Sequence, residues 1–320
     1  MAASLATVVG VGPLGSAVVR ALRRRHSETA VRVVTRSGGA PHLPESVDRR
    51  AADVSDGDAA ESAFEGASTV YLCAQPPYGE WPELFPPLVE GVLDGAAAVG
   101  ARLVFGDNLY MYGPTGGPLT ETTPHEATDP KGRTRAAIAE TVFDAHVNGR
   151  VEATIGRGSD FYGPGVRESL VGARLFESAL DGDAAMVVGD PDLPHTVTYI
   201  HDFGDALVTL GTEDDALGRA WHVPNPETLT TREFVERVYR AAGTGPPKIR
   251  SLDGTLFTLA SYLSPSLREL RDTRYQFESP WVVDHSEFAE TFGPNPEPTP
   301  HEEAIRETLA WVRRERGDAA

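Results

Sequence analysis

The chain has one cysteine, Cys73, in 320 residues. That excludes an intramolecular disulfide and any metal site built from several thiolates. Cys73 lies in the apolar run 69–74, which reads as an inert buried thiol rather than a nucleophile. Positive charge is also scarce: 29 Lys and Arg stand against 47 Asp and Glu, a formal net charge of −18. A polyanionic partner such as nucleic acid is then excluded unless a basic patch is segregated. The two short basic clusters, 23–25 and 313–316, read as solvated helix ends. No apolar stretch approaches the roughly 18 residues of a membrane span. Residues 1–10 lack the charged start and long apolar middle of a signal peptide. The nine histidines are scattered with no His-x-x-x-His, so no metal site is expected. What remains is a chain expected in the cytoplasm, with a small molecule rather than nucleic acid or membrane as its partner. Its 32 glycines, 25 prolines and arginine bias suit a high-GC bacterial genome.

Hydrophobic residues at 40% and charged residues at 24% are ordinary for a globular fold with a real core. In the first half, short apolar runs at 6–9, 31–35, 69–74, 102–106 and 151–156 alternate with helical stretches at 16–25, 58–65, 84–99 and 133–147. A short further run precedes Asp53. Near-continuous apolar strands separated by helices predict a doubly wound parallel sheet, an α/β Rossmann arrangement. After about Gly165 the rhythm becomes irregular. The expected division is a dinucleotide-binding domain over 1–165, with 196–224 returning to it. A smaller interleaved substrate-binding lobe then takes 166–195 and 225–320. Helices are expected at 168–180, from Asp202 to 210, at 234–242 behind a capping box at Thr230, and at 302–314, with a polar loop at 190–195. Pro294, Pro296, Pro298 and Pro300 mark a surface connector.

The strongest motif is Gly10-Val11-Gly12-Pro13-Leu14-Gly15, between a strand and a helix. Gly10 suits a tight turn, Gly12 close approach of a pyrophosphate, and Gly15 helix–sheet contact. The helix end and its unpaired N–H groups then favour phosphate. At the end of the second strand an acidic residue selects NAD and an arginine selects NADP. The chain reads Thr35-Arg36-Ser37 there, so NADP(H) is expected over NAD(H). Asp53 is either a partner for the adenine amino group or an exposed loop carboxylate.

Several stretches together resemble the extended and atypical short-chain dehydrogenase/reductase superfamily, in its NAD-dependent epimerase/dehydratase branch. They are the glycine loop, 103–114 (LVFGDNLYMYGP), 157–165 (RGSDFYGPG), 198–202 (TYIHD) and 221–229 (WHVPNPETL). The resemblance implies a Ser/Thr after the fifth strand and a Tyr-x-x-x-Lys opening the next helix. In that pair the tyrosine moves a proton while the lysine tunes it and holds the nicotinamide ribose. Here the matching positions carry Asn108, Lys131 and Arg135, so all three usual residues are replaced. The resemblance also implies a homodimer through helices flanking the sheet.

Two side chains compete for the acid. Tyr110, two residues after Asn108, would face the same side of an extended segment, at a spacing where dehydratases of the family carry a catalytic acid. Lys131 would have Arg135 one turn away, whose like charge should favour its neutral form. Alternatively Tyr110 is a core residue, and both cations merely contact cofactor phosphate or ribose, Arg135 holding the ribose. Ala74, Gln75 and Tyr78 should border the cofactor and the substrate. Ser159 and Asp160 should face the substrate, Asp160 pairing with Arg135 or Lys131 or capping a turn. His195 either touches substrate or sits in an exposed loop. Asp202 is expected to cap its helix. The sequence therefore supports three functions: an NADP(H)-dependent oxidoreductase on a small to medium organic molecule, a redox-neutral epimerase or dehydratase with retained nucleotide, or a non-catalytic NADP-binding regulator.

Overall fold

The structure, a computed structural model, describes residues 4–252, 254, 257, 261–262, 270–293 and 297–317. Of the connector prolines, Pro294 and Pro296 lie outside the described residues. In chain order the elements are β1 (Leu5–Val9), α1 (Pro13–Arg25), β2 (Ala30–Thr35), β3 (Asp48–Ala51), α2 (Gly57–Phe64), β4 (Thr69–Leu72), α3 (Trp81–Val99), β5 (Arg102–Asp107), α4 (Pro130–Val147) and β6 (Ala153–Arg157). Then come β7 (Asp160–Tyr162), α5 (Ala173–Asp181), β8 (Ala185–Val188), β9 (Pro194–His195), β10 (Val197–Tyr199), α6 (Ile200–Thr212), β11 (Ala220–His222), β12 (Leu229–Thr230), α7 (Thr231–Ala242), β13 (Ile249–Leu252), α8 (Ser286–Phe292) and α9 (His301–Arg316).

Seven parallel strands form the central sheet in the order β11-β6-β5-β4-β1-β2-β3. Both faces are covered, which is why the inner strands are mostly apolar, while the edge strand β3 (Asp48–Ala51) is polar. One face packs on α2, α3 and α4 around Phe64, Phe85, Leu93, Phe105 and Val142. The other packs on α1 and α6 through Val18, Leu22, Phe203 and Leu207. Strand order reverses between β1 and β4, and the crevice at their carboxyl ends is where such sheets take ligands. The late strand β11 joins the sheet beside β6. A separate core, with Phe176, Phe234, Val238 and Leu309, gathers α5, α7 and α9.

Several boundaries differ from the sequence pattern. Helix α3 starts at Trp81, ahead of the expected stretch 84–99, and carries Pro86 and Pro87 inside it. Residues 168–172 precede α5 instead of forming its first turn. The expected polar loop at 190–195 contains β9, antiparallel to β12. The capping box at Thr230 is present. Asp202 does not cap α6; its carboxylate accepts the Thr299 N–H at 2.8 Å and hydroxyl at 2.6 Å, tying α6 to the segment entering α9.

Candidate functional site

At the end of β1, Gly10 turns the chain with φ +83°, its N–H donating to the Val34 carbonyl at 2.9 Å. A Cβ at Gly10 would lie 2.7 Å from Ala74 Cα, and one at Gly15 would lie 1.9 Å from the Gly10 carbonyl oxygen. Neither position admits a side chain without displacing backbone. A Cβ at Gly12 would meet nothing within 4 Å, and the amino end of α1, opened by Pro13 and Leu14, has no side-chain cap. This open, amide-lined bend fits a dinucleotide pyrophosphate. Arg36 and Ser37 are exposed past β2, and Arg36 makes no ion pair among the described residues. Asp53 is exposed after β3; its Oδ1 accepts the Ser55 N–H and hydroxyl, which hold its carboxyl below the usual range.

Strands β5 and β6 end on opposite charges in register, Asp107 beside Arg157. Asp107 is fully buried between two guanidinium groups, 2.9 Å from Arg135 Nη1 and 3.7 Å from Arg157 Nε. It also accepts the Asn108 N–H at 2.8 Å. Arg135 lies on the first turns of α4, whose N-cap Asp129 accepts the Gly132 N–H. Its guanidinium donates to Gln75 Oε1 at 3.1 Å and stacks 4.1 Å over the Trp81 ring. At 3% exposure it has internal partners where the sequence expectation gave it the ribose. A buried charge needs such a partner, and Asp107 supplies it. Arg157 continues the network, donating to the Tyr112 hydroxyl at 2.7 Å; that hydroxyl meets His222 Nε2 at 2.7 Å, and His222 Nδ1 meets the Asp284 carbonyl. Burial pushes His222 down to about 4, so its ring is neutral and passes the hydrogen-bond chain onward.

Asn108 and Tyr110 do not lie on an extended strand. A short 3-10 turn (Tyr110–Tyr112) follows β5, and Asn108 Oδ1 accepts the Tyr110 N–H at 3.1 Å. The turn forms because Asn108 caps its first free amide. The Tyr110 ring packs against Trp81 at 6.1 Å and Tyr78 at 6.4 Å. Burial holds its phenol far above the ordinary range, and the nearby Tyr78 and Asp160 add to that. The Tyr110 phenol therefore keeps its proton through the neutral range. Burial likewise raises the Tyr78 phenol.

Lys131 is 5% exposed, with Nζ 3.8 Å from the Tyr78 ring centre and 3.9 Å from Asp272 Oδ2. The Arg135 side chain meanwhile points at Asp107, so the expected repulsion between the two cations is met by separate acidic partners. Asp160 pairs with neither cation, and it caps no turn: its Oδ2 is 2.9 Å from His195 Nε2. His195 is not in an exposed loop but 5% exposed on β9, stacked on Phe277. Ser159 is buried, its N–H held by Thr198 Oγ1 and its hydroxyl without a partner among the described residues. Buried polar atoms without a hydrogen-bond partner among the described residues gather here: Asp107 Oδ2, Arg135 Nε, Arg157 Nε and Ser159 Oγ. A cavity of about 20 Å³ behind His195 has room for about one water and no substrate. The structure thus brings Gln75, Tyr78, Tyr110, Lys131 and Arg135 together, and Asp160 with His195. Sequence reading missed Asp107 and Arg157. Their signal was a charge closing each of two consecutive apolar runs. Cys73 is half-buried where full burial was expected, and desolvation pushes its thiol up. Among the described residues no cluster could hold a metal ion, and no helix is long and apolar enough to cross a membrane.

A family model for the NAD dependent epimerase/dehydratase family matches residues 6–223. No curated protein matches the chain in sequence. Among solved structures it is similar to the UDP-glucuronic acid 4-epimerase of Bacillus cereus in complex with NAD, at 17% identity and TM-score 0.77, covering 99% of each chain. It is similar also to the dTDP-glucose 4,6-dehydratase DesIV of Streptomyces venezuelae with NAD and TYD bound, at 18% identity and TM-score 0.79, covering 98% of each. The UDP-glucose 4-epimerase of Thermotoga maritima with UDP-glucose gives 17% identity and TM-score 0.78, over 97% of this chain and 99% of that one. At these identities the likeness is one of fold.

Proposed function

The chain belongs to the NAD dependent epimerase/dehydratase family of nucleotide-dependent enzymes, and we propose that it is an NADP(H)-dependent oxidoreductase acting on a small to medium organic carbonyl compound or the corresponding alcohol. The observation that carries this reading is the pairing, at the carboxyl ends of the central strands β1 and β5, of an open Gly12 bend with a phenol kept neutral at Tyr110. When bound, a nicotinamide cofactor supplies or accepts the hydride. Gly10, Gly12, Leu14 and Gly15 would hold its pyrophosphate, Ala74 and Gln75 would border its ribose, and Arg36 with Ser37 would hold a 2′-phosphate. Tyr110 gives a proton to the substrate oxygen, or takes it back in the reverse direction. Asn108 fixes the turn that aims Tyr110. Lys131 presses Tyr78 against the substrate side. Arg135, held by Asp107, props Gln75 and Trp81 and so positions the edge instead of touching the ribose.

The NADP preference rests on Arg36 and on the missing carboxylate after β2, although the similar structures named above that hold a dinucleotide hold NAD. Titrating both dinucleotides by calorimetry tests it; tighter NAD binding would overturn the preference. A second reading, a redox-neutral epimerase or dehydratase, is favoured by the end-to-end match to such enzymes. Nucleotide copurifying with the protein, and turnover without net change in nicotinamide absorbance, would establish it over the first.

A further inference from the structure

The imidazole of His195 is clamped from several sides. Its ring stacks on Phe277 at 4.9 Å with planes 6° apart. Its strand is held by Trp281, whose N–H donates to the Pro194 carbonyl at 2.8 Å and whose carbonyl accepts the Thr196 N–H at 2.8 Å. Both ring nitrogens face acceptors: Nε2 is 2.9 Å from Asp160 Oδ2, and Nδ1 is 3.2 Å from the Gln276 carbonyl oxygen. A neutral imidazole has one N–H and one lone pair. It can satisfy one of these acceptors and must turn its lone pair on the other. Both contacts become hydrogen bonds only when the pair carries an additional proton, either on Nε2 facing a carboxylate or on Asp160 facing Nε2. The ring is 5% exposed, so rotation into water is no alternative.

We propose that the Asp160–His195 pair is a proton store for the substrate edge, supplying the phenol of Tyr110. The Asp160 side chain is the outlet, 17% exposed against 5% for His195. The Asp160 charge acts on the phenols of Tyr78, Tyr110 and Tyr275. The delivery step rests on the role given to Tyr110 above; the storage does not. When Tyr110 protonates a substrate alkoxide, its O–H bond breaks, a substrate O–H bond forms, and a phenolate remains. The stored proton then passes to that phenolate. Asp160 is left as carboxylate and His195 as neutral imidazole, its Nδ1–H still on Gln276, until solvent returns a proton.

Nitrogen-15 NMR of histidine-labelled protein, without cofactor, tests the storage. His195→Gln identifies the His195 signals by their loss, and Asp160→Asn by their displacement should the first variant not fold. Two proton-bearing ring nitrogens support the proposal. So does one pyridine-like nitrogen together with an infrared carboxylic-acid band that Asp160→Asn removes. One pyridine-like nitrogen beside an ionised Asp160 overturns it, whatever the enzyme's activity. For delivery, His195→Gln should slow steady-state turnover by on the order of 10²-fold while the first turnover in a burst experiment keeps its wild-type rate. An unchanged steady state with the store confirmed by NMR would overturn delivery alone.

Discussion

Asp107 and Arg135 form a 2.9 Å ion pair with side chains 0% and 3% exposed, at the seam between β5 and the helix that follows it. Such pairs contribute little against an apolar pair of the same shape, but breaking one leaves a stranded charge and costs about 3–5 kcal/mol. Arg135→Met should therefore lower the urea midpoint steeply, and Asp107→Asn as much, since it strands two guanidinium groups. Arg135→Lys should also lose stability, because an ammonium cannot serve Asp107, Gln75 and the Trp81 face at once. Equilibrium unfolding of the three variants checks this. Midpoints matching the wild type would return Arg135 to the cofactor.

The parallel sheet was readable because its inner strands are buried on both faces and so appear as apolar runs; the polar edge strand β3 left no such signal. The glycine bend was readable because steric exclusion at Gly10 and Gly15 dictates residue type. Helix beginnings were less readable: α3 tolerates Pro86 and Pro87 in its interior, and the burial of Trp81 and Phe85 outweighs the lost hydrogen bonds. Pairings between distant residues left no local trace. Nothing near Asp160 announces His195, 35 residues on, or near Asp202 announces Thr299. Asp107 and Arg157 stood at strand ends in plain view, yet their opposition depends on register, which one strand cannot reveal.

Tyr110→Phe should reduce turnover by about 10²-fold or more while leaving dinucleotide affinity unchanged. Burial keeps the Tyr110 proton on oxygen well above the ordinary phenol range. In the reductive direction kcat should then show no fall as pH passes about 10, where a free phenol ionises. Lys131→Ala should act differently. It removes the cation over the Tyr78 ring and should raise KM more than it lowers kcat. Steady-state kinetics of both variants, with cofactor binding measured separately, would reverse the assignment if only Lys131→Ala lost kcat.

Arg36 is exposed beyond β2 and lacks an ion-pair partner among the described residues, so its removal should leave the fold undisturbed. Arg36→Ala should weaken NADP binding by about 10- to 100-fold, the loss of one charge-assisted contact worth about 1.5–3 kcal/mol. NAD binding should stay within about twofold of wild type by the same measure. Equal weakening of both in calorimetry would place the guanidinium on a part of the dinucleotide they share.

Asp202 predicts a stability change with pH whose sign is opposite to that of most paired carboxylates. Burial raises its carboxyl from 3.8 to about 6, despite the two hydrogen bonds from Thr299. The folded state therefore binds a proton that the unfolded state releases between those values. This contribution is complete below about pH 4 and is lost as pH rises through about 6, on the order of 3 kcal/mol in total. His222, pushed by burial from 6.5 down to about 4, acts the other way over the same window: protonation costs the folded state as pH falls. The two cancel in part, so the wild-type profile alone does not separate them. Asp202→Asn does, because asparagine accepts the Thr299 N–H through its oxygen and donates to the Thr299 hydroxyl without titrating. Measured by urea unfolding from pH 4 to pH 7, Asp202→Asn should gain stability relative to the wild type as pH rises. A difference that stays constant across that range would mean that the Asp202 carboxyl titrates alike in the folded and unfolded chains.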